Sequence, residues 1–139
     1  MVFILDEGSE FELSFEKLWE YLPSEKHAHP VAKLVSRELS GNVLTIASDR
    51  EINGKTVRTK LRMTIYPPLG VVQEYLEGPA AGSKAFLYYY PRGNKTGITV
   101  VGDFTIAGAA DEESTRRAVA QMMERSFTED VALIKRLYP

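Results

Sequence analysis

The 139-residue chain contains no cysteine. That absence excludes disulfides, thiolate catalysis and cysteine-ligated metal together, and it is the composition expected of a cytoplasmic protein. Histidine is scarce, with two residues, and tryptophan occurs once. Neither sign of charge is in excess. Lysine and arginine number 17 against 19 aspartates and glutamates, for a net charge of -2, and the basic residues are scattered. Nothing in this balance attracts nucleic acid or an anionic membrane surface. Long apolar runs are missing too: "MVFILDEGSE" has Val2 to Leu5 and then Asp6, with no basic residue before them. Neither a secretory leader nor a membrane span is expected. There is no phosphate-cradling glycine loop, no Ser-His-Asp arrangement and no pair of catalytic carboxylates to argue from.

What is present is the composition of a folded protein, 44% hydrophobic and 26% charged. The length suits one domain, residues 1–139, with one sizeable core. Val2 to Leu13 reads as a first strand. Ser14 then caps a helix in "SFEKLWEYLP", where Phe15, Leu18, Trp19 and Leu22 recur at helical spacing and Pro23 ends the segment. "PSEKHAHP" offers one more helical turn.

From Val31 to Ile106 the pattern is strands separated by turn residues, at Ser40-Gly41-Asn42, Asn53-Gly54, Pro67 to Gly70, Gly78 to Ser83 and Gly93-Asn94-Lys95. That leaves six strands. Asn53-Gly54 is the sharpest break, because both central residues of a type I′ hairpin need positive φ. In "TVRTKLRMTIY", Val57, Thr59, Leu61, Met63 and Ile65 share one face and Arg58, Lys60 and Arg62 the other. In "KAFLYYYPR", Lys84 and Arg92 share parity with Phe86, Tyr88 and Tyr90. Ala85, Leu87 and Tyr89 therefore face inward, and the outer aromatic strip is a candidate homodimer patch. Tyr75 is also expected inward, accompanied by Gln73 and Glu77.

After Gly108 the period becomes helical. Asp111 caps a helix with Glu112 and Glu113 in its first turn and Lys135 and Arg136 in its last, as the helix dipole prefers. Running to about Tyr138, it spans roughly 40 Å. Val119, Met122, Met123, Phe127, Leu133, Ile134 and Leu137 form one stripe at about 100° per residue, with Arg125 and Glu129 on or near the opposite face. Ser126 and Asp130 interrupt the apolar stripe. A buried carboxylate needs a partner. For Asp130 the candidates are a ligand head group, water, or a cation such as Arg50.

The order is strand, one or two short helices, six strands in a meander and a long terminal helix: an α+β protein whose antiparallel sheet is covered on one face by the long helix. This order, with "FEKLWEYLP" after the first strand, the "EYLEGPAAG" turn, the "PRGNKTGITVVGDF" hairpin and the terminal helix, resembles the START/SRPBCC superfamily. The resemblance implies a helix-grip fold, in which a curved seven-stranded antiparallel sheet wraps around the long C-terminal helix. It also implies an apolar cavity between them that holds a hydrophobic molecule.

On that reading the cavity residues are Trp19, Val57, Leu61, Met63, Tyr75, Leu87, Tyr89, Phe104, Val119, Met122, Met123, Ser126, Phe127 and Asp130. The methionines suit an adaptable apolar pocket and suit an ordinary core equally. Buried phenols at Tyr75 and Tyr89 are placed to orient a polar head group, or to pack across strands. His27 and His29 in "EKHAHP" invite a metal reading with Glu25. Without a third cluster the expectation is a solvated loop with no metal, and no cofactor is expected. Three functions follow: a binding or transport protein for a fatty acid or other lipid-like molecule, a cyclase or hydratase using the same cavity, or a protein-interaction module with a solid core.

Overall fold

The structure is a computed structural model that describes residues 1–29 and 32–139. The expected opening of the strand region at Val31 lies outside the described residues. Strand β1 (Val2–Phe11) leads to helix α1 (Phe15–Tyr21), then β2 (Lys33–Ser40), β3 (Val43–Ile52), β4 (Lys55–Tyr66), β5 (Gly70–Glu77), β6 (Lys84–Arg92), β7 (Lys95–Phe104) and helix α2 (Glu112–Leu137). The seven strands form one open antiparallel sheet in the order β1-β7-β6-β5-β4-β3-β2. β1 ends at Phe11, two residues short of the expected Leu13. Among the described residues one short helix follows it, because Ser24 to Lys26 make isolated turns and not a second helix. Among the described residues no helix is long and apolar enough to cross a membrane.

The local signals explain the elements. Ser14 Oγ accepts from the Lys17 amide at α1, and Asp111 Oδ1 accepts from the Ser114 amide at 2.8 Å at α2. Asn53 and Gly54 both hold positive φ, 52° and 78°, as the β3–β4 hairpin requires. Gly70 of β5 pairs with Tyr88 of β6, and a Cβ there would overlap the Leu87 carbonyl oxygen. On β4 the basic face is outward, with Arg62 forking onto Glu74 of β5 at 2.9 and 3.1 Å. On β6, Ala85 and Tyr89 are buried and Phe86 and Tyr88 exposed, stacked on each other with centroids 5.6 Å apart.

Bulges in β1 between Asp6 and Ser9, in β2 between Leu34 and Ser36, and between β4 and β5 beside Leu61 bend the sheet. The inner face carries two apolar clusters. One gathers Leu18 and Tyr21 of α1 with Leu44, Met63, Ile65, Val71, Tyr89 and Ile98 of the sheet and Leu133 and Ile134 of α2. The other joins Ala85 and Phe104 to Val119.

Candidate functional site

Those two clusters clamp α2 near its ends. Its buried residues are Thr115 and Val119 in the first half and Leu133 and Ile134 near the C-terminus, with none between. Over the intervening three turns the helix packs only partly on the sheet, and a hollow of about 520 Å³ lies between them. From the sheet, Leu61 and Met63 of β4, Tyr75 of β5, Leu87 and Tyr89 of β6 and Phe104 of β7 line it. From α2 come Met122, Met123, Ser126, Phe127 and Asp130. Ser126 is exposed, so the hollow opens to solvent along the helix. Phe127 stacks on Phe11 with centroids 5.0 Å apart and limits one side.

Three residues expected in this lining are placed elsewhere. Val119 is fully buried against Ala85 and Phe104. Val57 has the inward parity and pairs with Arg50, but its side chain is not among those that line the hollow. Trp19 packs beneath α1, edge-on to Phe15 and Tyr89 at 5.7 and 5.8 Å, with its indole Nε1 buried and unpartnered among the described residues. Ile46, Val71 and Ile98 line the hollow without having been picked out. They stand in strands whose apolar alternation is interrupted.

One end of the hollow is polar. Asp130 Oδ1 accepts from the Tyr21 hydroxyl at 2.7 Å and lies 3.0 Å from His27 Nε2 and 3.1 Å from His29 Nε2. The other nitrogen of each ring is also engaged: His27 Nδ1 lies 3.1 Å from the Leu22 carbonyl oxygen, and His29 Nδ1 lies 2.8 Å from Glu129 Oε1. Arg50 clamps Glu129 bidentately, at 2.8 and 2.9 Å. Arg50 therefore pairs with Glu129 and not with Asp130. Glu129 is turned inward, 12% exposed, where the helical periodicity put it near the wet face. Glu25 is not part of the cluster. The expectation of a solvated histidine loop is corrected: both side chains are less than one-fifth exposed and converge on α2.

The electrostatics follow from this packing. Burial works against the charge on Asp130, but the hydrogen bonds and charges of His27 and His29 outweigh it and hold the carboxyl well below the usual range. Glu129 is likewise lowered, with Arg50 and His29 overcoming its burial. Burial also opposes charge on His29, yet the bonds to Asp130 and Glu129 raise it above the ordinary imidazole value. Tyr21 is raised, by burial first and then by the Asp130 charge, so its hydroxyl stays a donor. Along the apolar part of the hollow, burial pushes Tyr75 up to about 12, and its hydroxyl donates to Gln73 Oε1 at 3.2 Å.

No family model matches the sequence, and no curated protein matches it. Solved structures do match the fold. The Zhui aromatase/cyclase from Streptomyces sp. R1128 superposes with a TM-score of 0.68 at 15% identity, over 95% of this chain and 91% of that one. A START superfamily protein from Mycobacterium smegmatis gives 0.72 at 15% identity, over 97% and 98%. Ara h 8.0201 gives 0.71 at 13% identity, over 96% and 97%. At such identities the likeness is one of fold: the chain has the helix-grip fold that its resemblance to the START/SRPBCC superfamily implied.

Proposed function

We propose that the protein binds a hydrophobic small molecule, with a fatty acid or related lipid as the leading class, in the hollow between the sheet and α2. The observation that carries this reading is the clamped helix: α2 is fully buried near both ends and only partly buried over the middle, with about 520 Å³ left beneath it. That volume lies within the roughly 300–1,000 Å³ of ordinary ligand pockets. The lining is mostly apolar, with single polar side chains such as Gln73, Glu77 and Arg125 in it and the Tyr21, His27, His29 and Asp130 cluster as its densest polar group, an arrangement that suits a ligand with a long apolar body and one polar group. Selectivity would come mostly from length, since each buried CH₂ contributes about 0.8 kcal/mol. A cytoplasmic setting fits the absence of cysteine, and the exposed Phe86–Tyr88 strip is the candidate dimer patch.

Extraction of the purified protein with organic solvent, followed by mass spectrometry, tests the reading. A stoichiometric lipid-like molecule is expected. An extract with no such molecule, from a protein that also takes up no apolar probe, contradicts it and favours the interaction module.

A second reading, a cyclase-type enzyme, is favoured by the same polar end, where a carboxylate, two imidazoles and a phenol meet at the hollow as acid/base groups. It is also favoured by the likeness to an aromatase/cyclase. Turnover of an aromatic polyketone that is lost in Asp130→Asn would support this enzyme. No turnover leaves the binding protein.

A further inference from the structure

We propose that His27 Nε2, His29 Nε2 and Asp130 Oδ1 form a binding site for a first-row divalent transition-metal ion of the zinc class at the polar end of the hollow. The three atoms lie within 4.8 Å of one another. Both nitrogen-to-oxygen separations, 3.0 and 3.1 Å, are close to the edge of a tetrahedron centred about 2.0–2.1 Å from its ligands, which is roughly 3.3 Å. To admit an ion, these two separations need to widen by only a few tenths of an ångström.

The outer contacts strengthen the case. His27 Nδ1 faces the Leu22 carbonyl, and His29 Nδ1 faces Glu129, itself fixed by Arg50. Both partners accept only, so each Nδ1 keeps its proton when a metal ion takes the place of any Nε2 proton, and each Nε2 then presents its lone pair to the ion. This is how metal-ligating histidines are held, by a carbonyl in one case and a carboxylate in the other. The Tyr21 hydroxyl orients Asp130 in the same way. Each imidazole has acceptor oxygen on both sides, so the place beside Nε2 and Asp130 calls for a positive species, either a proton or a metal ion. A divalent ion satisfies two lone pairs and one carboxylate oxygen together.

Two imidazoles and one carboxylate are borderline ligands that suit Zn²⁺ or Co²⁺, whereas Mg²⁺ and Ca²⁺ take oxygen sets. Three protein ligands leave at least one coordination position open. Because all three residues line the hollow, that position faces whatever occupies it and would take water or an oxygen donor. The site stands whether or not the occupant is a lipid.

The test is titration of the chelator-stripped, full-length protein with Zn²⁺ against a chromogenic chelator, with Co²⁺ followed by its visible spectrum. One equivalent of Zn²⁺ or Co²⁺ is expected to bind, undisturbed by millimolar Mg²⁺ or Ca²⁺. His27→Gln and His29→Gln should each weaken binding at least tenfold, and Glu129→Gln, which touches only His29 and Arg50, by about 10–100-fold. If those variants fail to fold, the wild type still decides the matter. Its two imidazoles are the only ones in the chain, and Zn²⁺ should move both Nε2 resonances in a ¹⁵N spectrum. No binding of either metal, binding unchanged in both histidine variants, or binding that leaves both resonances in place overturns the proposal.

Discussion

The Tyr21 hydroxyl lies 2.7 Å from Asp130 Oδ1, joining the last residue of α1 to α2 across 109 residues of chain. This hydrogen bond meets a charged acceptor in a part-buried site, where such bonds contribute about 1.5–3 kcal/mol. Tyr21→Phe keeps the ring, which stacks on His27 with centroids 4.2 Å apart, and removes only the donor. A loss of about 1.5 kcal/mol is expected in urea unfolding, at the lower end because both histidines still face Asp130. A stability equal to wild type would show that the bond is dispensable.

Gly70 tests the sheet. Its missing side chain lets the Leu87 carbonyl approach, so Gly70→Ala must push β5 from β6 and is expected to cost about 1–3 kcal/mol. Gly41, with open space around its Cβ position, is no guide here because its positive φ adds a separate penalty. The unfolding midpoint of Gly70→Ala is the measurement, and no shift would mean that the strands separate freely at this point.

The clamp on α2 predicts unequal responses along one stripe. Leu133 is 2% exposed within the main cluster, and Leu133→Ala should cost about 2–5 kcal/mol. Met122 is only partly buried beside the hollow. Met122→Ala should cost about 1 kcal/mol or less, since removing atoms that already border empty space creates little new cavity. Equal losses in paired denaturant titrations would indicate a helix packed uniformly along its length.

How much of this was legible in the sequence depends on the range of the signal. β4 could be read from Val57 to Ile65 because its alternation is uninterrupted, and the Asn53-Gly54 turn and the Ser14 and Asp111 caps are set within a few residues. The same alternation picked out Val57, which does not line the hollow, since parity gives the face of a strand and not which of its side chains border a hollow. Glu129 was misplaced for a related reason. A helical projection puts it near the wet side of α2, but the segment after α1 brings His29 to that side and β3 brings Arg50. The histidine cluster was hidden because its carboxylate is about a hundred residues from "HAH". Two residues apart on non-helical chain, His27 and His29 can reach the same partner. Only the fold supplies that partner.

Met123 provides the most direct test of the central claim. It is partly buried in the middle of α2, beside the second apolar cluster, and lines the hollow. In a close-packed core, Met123→Trp would force in volume at a cost of about 1–3 kcal/mol. Under a hollow, the indole has room and takes the space of a ligand. Thermal melts and titrations with a fluorescent apolar probe or a fatty acid, run in parallel on wild type and Met123→Trp, separate the two. The account predicts a wild type that takes up the probe and a mutant that keeps its Tm while losing uptake. A strongly destabilised mutant beside a wild type that takes up nothing would contradict it.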